Sequence, residues 1–177
     1  MATVNQEFQS APMGRRCVRI TMFAFGAVVV LVLFNLLITP RWMGAHRNFQ
    51  SRMIVAFAPL VGLVVTVPVF FIERSKVSRF AISENSLVLG KKSFPLSGLI
   101  SVERDPKIMC WAFKKYGNDG LGAIRGRFWS KRVGKFEAFL TGTENAVVLR
   151  WPDRVVAVSP SDPEFFITCA RSASGLR

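Results

Sequence analysis

Two uncharged apolar runs constrain the fold of this chain more than any other feature. Val18 to Thr39 reads VRITMFAFGAVVVLVLFNLLIT, with one charge, Arg19, at its edge, and Met53 to Ile72 reads MIVAFAPLVGLVVTVPVFFI, with none. A helix needs about 20 apolar residues to cross the ~30 Å hydrocarbon core of a bilayer, so both runs have the length. Helices buried in soluble proteins rarely stay uncharged for so long. The first run outlasts the roughly 7–15 apolar residues of a cleaved signal peptide, and no small-residue cleavage site follows it. Cys17 precedes the run and is misplaced for a lipid-modified signal. The run therefore reads as a retained anchor.

The stretch between the runs, Pro40 to Arg52, is short, so the two spans (18–39 and 53–72) form a hairpin and both ends of the chain lie on one side. That side carries Arg15, Arg16, Arg19, Arg74, Lys76 and Arg79 close to the spans, against Arg41, Arg47 and Arg52 in the hairpin loop. Six basic residues against three favour cytoplasmic termini and a multi-pass protein of the inner, cytoplasmic membrane. Three domains are expected: a mobile N-terminal tail over 1–17, the hairpin over 18–72, and a folded unit over 73–177. Ala58, Gly62 and Thr66 place small residues on one face of the second span, and Asn35 is a polar side chain deep in the first. These four are candidate helix-packing residues, either within the hairpin or in a homo-oligomer.

Beyond the second span the pattern turns to short alternating runs. Val77 to Ile82, Leu87 to Leu89, a strand around Phe94 and Leu96, and Leu99 to Val102 are separated by turn clusters at 83–86 and 90–92. Lys135 to Phe139 alternates cleanly, and the β-branched runs Ala146 to Leu149 and Val155 to Val158 are joined across Trp151-Pro152-Asp153. This punctuation predicts an antiparallel sandwich or barrel. A helix over 161–173 follows. Ser161 and Glu164 have the spacing of a capping box, Pro163 sits in the first turn, and Phe166, Cys169, Ala170 and Ala173 share one face.

The segment GLGAIRGRFWSKRVGKFEAFLTGTENAVVLRW followed by RVVAVSPSDPEFF resembles the bacterial pleckstrin-homology-like (PH-like) family. The similarity runs roughly from Val77 to Ala173 and is most specific in SPSDPEFF, which opens the closing helix. It implies a mainly-β PH-like barrel closed by one C-terminal α-helix and a place at the membrane, since similar proteins often carry two spans ahead of the domain. It implies no single activity. Some similar proteins protect cells from their own peptide bacteriocins.

Residues 117–129, GNDGLGAIRGRFW, raise a different question. The spacing Gly-x-Gly-x-x-x-Gly at 120, 122 and 126 misses both the dinucleotide fingerprint and the P-loop. Both of those also need a helix after the glycines to hold phosphate. A strand pattern follows here, so the glycines read as a bend or a close approach of two backbones. The charge is more telling. Between Arg104 and Lys135 nine basic residues face two acids, a net +7 out of +8 from Glu73 onward, in a chain of net charge +13. Arg125, Arg127, Lys131, Arg132 and Lys135 are the candidate surface for anionic headgroups or a partner protein, with ~1 kcal/mol expected per Lys or Arg near an anionic leaflet. The turn that carries phosphoinositide ligands in known PH domains is Glu84-Asn85-Ser86 here, which argues against a specific phosphoinositide pocket.

The one histidine, His46, falls in the hairpin loop, so a Ser-His-Asp or Cys-His pair in the folded unit is excluded, as are multi-histidine zinc sites. Cys17, Cys110 and Cys169 have no metal or disulfide spacing and read as buried thiols. No enzyme, cofactor or metal site is expected. The leading expectation is a non-enzymatic membrane-anchored adaptor that binds a protein or an anionic lipid surface, in envelope stress or bacteriocin immunity. The alternative is an accessory subunit or regulator of a transport system. Nucleic acid is ranked last, for want of stacking aromatics in a binding motif.

Overall fold

The computed structural model describes residues 6–42, 61–62, 64–72, 74–75, 77, 79–83 and 85–176, with the backbone alone for 35–42. Its elements in chain order are β1 (Gln6–Gln9), α1 (Arg15–Trp42), β2 (Arg79–Ser83), β3 (Ser86–Leu89), β4 (Lys92–Pro95), β5 (Ser101–Arg104), β6 (Phe113–Asp119), β7 (Ile124–Ser130), β8 (Gly134–Leu140), β9 (Val147–Arg150), β10 (Val155–Val158) and α2 (Pro163–Ser174). Residues 64–72 are helical as well. The strands group into two sheets, ordered β1-β2-β3-β4 and β5-β9-β10-β8-β7-β6. Pairing is antiparallel except between β8 and β10, which run parallel.

The core between the sheets follows from alternation. Phe80, Ile82, Leu87, Leu89 and Phe94 point inward from the small sheet, and Val102, Phe139, Val147, Leu149, Val156 and Val158 meet them from the large one. α2 closes the open end with Phe166, Ile167 and Ala170, while Cys169 and Ala173 are partly buried beside them. The helix starts one residue later than the capping-box reading. Pro163 at its first turn holds the preceding residue out of the helical region, so Asp162, at φ −117° and ψ 98°, is the cap and accepts from the amide of Phe165 at 3.0 Å.

The expected mobile tail over 1–17 is corrected by the structure over 6–17, residues 1–5 lying outside the described residues. Residues 6–9 form an edge strand on β2 with Phe8 opposite Phe80, and Phe8 is buried between Phe80, Phe165 and Phe166 at ring distances of 6.1, 5.9 and 5.1 Å. The chain then continues along the domain. The amide of Ala11 donates to Ser159, that of Ser161 to Gln9, and that of Gly14 to Thr141, at 2.8, 3.0 and 2.9 Å. One aromatic anchor and the ladder outweigh the polar composition of this segment. The folded unit therefore includes residues well before 73.

The first turns of α1 belong to the domain too. Cys17 is fully buried in a second core on the outer face of the large sheet, with Ile124, Phe128, Phe136, Leu140 and Val148. Gly14 lies against Gly142, where a side chain on either would strike the other's backbone. Of the three thiols Cys17 is buried, Cys169 half-buried and Cys110 exposed, so the expectation of buried thiols fails at Cys110, on an open turn.

Among the described residues one helix is long and apolar enough to cross a membrane, Arg15–Phe34, whose most apolar 18 residues have a mean hydropathy of 2.4 and are 11% buried. Residues 43–60 and 63, which include most of the loop and the first part of the second expected span, lie outside the described residues. Where both are described they touch: Phe25 and Phe70 meet edge to face at 6.0 Å, and Gly62 faces Val28. Thr66 donates to the carbonyl of Gly62 at 2.7 Å, within its own helix. Ala58 and the side chain of Asn35 lie outside the described residues.

Candidate functional site: a basic groove at the helix base

β7 has two unlike faces. Ile124, Phe128 and Ser130 are buried on one, and Arg125 and Arg127 alternate with them on the other. The register sets Asn118, Arg125 and Phe139 in one row across β6, β7 and β8, and Tyr116, Arg127 and Glu137 in the next. Gly117 and Gly126 face each other between these rows at φ 118° and 145°. A Cβ on either would collide with the opposite strand, so this close crossing requires glycine.

The large sheet extends past the small one here and leaves a groove of about 980 Å3. Among the described residues, Lys92 of β4, Lys114 of β6, and Arg125 and Arg127 of β7 line it with Glu137 of β8, four cations and one carboxylate. Tyr116 and Phe139 add aromatic surface, and Val69 of the second apolar helix forms one wall. Glu137 ties two walls together: Lys92 Nζ lies 2.6 Å from its Oε2 and Arg127 Nε 3.3 Å from its Oε1. Burial pushes the Glu137 carboxyl up, but the hydrogen bonds and charges of Lys92 and Arg127 outweigh it and hold the group below the usual carboxylate range. Lys92 also stands over the Phe139 ring, 5.6 Å from its centre.

The glycine stretch has two uses. Its tip, between β6 and β7, is the seat of the apolar helices. A side chain at Gly120 would meet Ile20 of α1 at 2.6 Å, and one at Gly122 would meet the carbonyl of Phe70 at 2.9 Å. Thr21 donates to the Gly120 carbonyl at 3.4 Å and accepts from the Gly122 amide at 3.2 Å. Arg16 grips both oxygens of Asp119 at 2.9 Å. Asp119 is thus a latch to α1. No helix follows the glycines, in keeping with a bend rather than a phosphate loop.

The predicted basic surface divides. Arg125 and Arg127 share the groove, while Lys131 and Arg132 fall in the turn after β7, and Lys135 pairs opposite Trp129 at the far end of the hairpin. Arg132 is engaged there by Asp105. The turn breaks the register that would have joined the two halves. Lys92, Glu137 and Val69 were not foreseen as neighbours, because their contacts span strands and helices far apart in sequence and no local pattern encodes them.

Comparison with curated proteins and with solved structures gave no match. A family model described as the bacterial PH domain matches residues 79–173, from the start of β2 to the last turn of α2. The match covers more than half of the 177 residues, and the chain belongs to the family of bacterial PH domains.

Proposed function

We propose that the protein is a non-enzymatic, membrane-anchored binding module whose PH-like domain works against the anionic headgroups around its own anchor. The observation that carries this reading is the seating of the glycine tip on Ile20, Thr21 and Phe70. A helix crossing the bilayer from this seat brings the basic groove to the headgroup layer, where each cation is worth ~1 kcal/mol. The exposed apolar surface of α1, with Phe23 80% and Val30 64% exposed, supports the same setting, since water-facing patches of this kind are unfavourable. Both termini are assigned to the cytoplasm on the excess of basic residues beside the spans.

The test uses the full chain in nanodiscs, because cutting at Glu73 would remove β1 and the first turns of α1. Amide exchange over β6 and β7 should slow in phosphatidylglycerol bilayers relative to phosphatidylcholine, and added salt should reverse the effect, since the Debye length is only ~8 Å at physiological strength. Equal exchange in both bilayers would refute the reading. A second reading rests on the edge strand β6 and the turn before it. Trp111 is 87%, Phe113 62% and Tyr116 78% exposed, a surface suited to a protein partner that adds a strand. Exchange protection that appears only with cell extract, in either bilayer, would favour it.

A further inference from the structure

We propose that the groove is a seat for the headgroup of a phospholipid bearing two phosphates, whose acyl chains lie along the 64–72 helix. This deepens the reading above and rests on it: general attraction to the leaflet does not require any one lipid to have a place, and the groove supplies one. Among the described residues, and leaving Arg125 aside, Lys92, Lys114 and Arg127 against the one carboxylate of Glu137 leave a net +2, which two phosphates match and the single charge of one phosphodiester does not. Arg125 and Arg127 stand two residues apart on β7, about 7 Å at ~3.4 Å per residue, which spaces the positive charge along the groove rather than at a point. A volume of about 980 Å3 lies at the upper end of small-ligand sites.

The apolar wall decides between a lipid and a soluble anion. Val69 lines the groove and is 40% exposed, and Val65 and Ile72 on the same helical segment are 56% and 49% exposed. An inorganic phosphate would gain nothing from that wall, whereas a lipid seated by its headgroup would cover it. Glu137 positions the cations rather than opposing the ligand. Its two ion pairs hold Lys92 and Arg127 on opposite walls, so both can reach one bound anion.

The experiment measures lipid retention by the full chain in neutral detergent, by native mass spectrometry, with diphosphatidylglycerol and phosphatidylglycerol as probes at equal total charge. Wild-type protein should retain the two-phosphate lipid preferentially. In Lys114→Gln/Arg127→Gln, Glu137 keeps Lys92 as a partner, and retention should fall about thirtyfold, two cations at ~1 kcal/mol each. Lys131→Gln/Lys135→Gln removes the same charge at the far end of the hairpin and should leave retention unchanged. Equal losses in the two double variants would overturn the groove while leaving general headgroup attraction intact. Displacement of the lipid by inorganic phosphate would overturn the assignment to lipid. No preference of the wild type for either anionic lipid over phosphatidylcholine would overturn both the groove and the reading beneath it.

Discussion

Truncating Phe8 to alanine tests whether the N-terminal segment is part of the domain. The ring is 6% exposed and is packed by three others, parallel to Phe80 and edge-on to Phe166, with Phe165 tilted beside it. Burying a phenylalanine is worth ~1.5–3 kcal/mol by area alone, and each aromatic pair adds ~0.5–1.5 kcal/mol. With the cavity left behind, Phe8→Ala should cost about 3–5 kcal/mol. The lower end is expected, because β1 is an edge strand and can relax into the gap. Glu7→Ala, on the exposed face of the same strand, should stay within about 0.5 kcal/mol. Urea unfolding of the full chain in detergent, followed by tryptophan fluorescence, reads both: Phe8→Ala should lower the midpoint, and Glu7→Ala should not. A loss below about 1 kcal/mol in Phe8→Ala would show that β1 is not held against the sheet, and that the segment is the tail its composition suggests.

Three further outcomes follow. Asp162→Ala removes the cap of α2 and should cost about 1 kcal/mol, while Ser161→Ala should cost little; equal effects in thermal unfolding would restore the capping-box reading. Brief maleimide treatment of the folded protein should label Cys110 and spare Cys17 until denaturant is added, and early labelling of Cys17 would place α1 outside the core. Glu137 is held below its ordinary pKa, so the stability it contributes is complete above the unfolded value and is lost as pH falls through the folded one. Glu137→Gln should therefore flatten part of the acid limb of a stability profile, and an unchanged limb would show that the Lys92 and Arg127 contacts contribute nothing.

The sequence showed the closing helix and most strands of the domain because their apolar residues recur at the period of the element that buries them. Leu87 and Leu89 line one core, Phe136 and Ala138 line the other, Val155 to Val158 alternate between the two, and the periods of α2 converge on Phe166 and Ala170. Two strands left no such trace. β1 has one apolar residue in four, and its partner β2 lies some seventy residues away. β6, with the sequence FKKYGND, is an edge strand whose first five residues are all exposed, so no alternation was selected, and its position is fixed by pairing with β7. The candidate site was legible by halves for the same reason. Arg125 and Arg127 are neighbours in sequence and share a face, whereas Lys92 reaches Glu137 only after the two sheets have closed.

The junction between α1 and the domain has a mechanical consequence. Among the described residues the start of α1 is fastened directly to the domain: Gly14 abuts Gly142, Cys17 is in the core, and Arg16 and Thr21 clamp the hairpin tip. Sheet and helix turn as one lever with its fulcrum at the glycines. In the proposed membrane setting, a change in bilayer thickness that tilts α1 by about 10° turns the large sheet with it. The Phe113 end of β6, six residues or about 20 Å from the tip, then sweeps about 3.5 Å. Displacement of that size is comparable to the contact distance of a docked side chain, so in that setting the far end of the hairpin would move with the tilt of the helix.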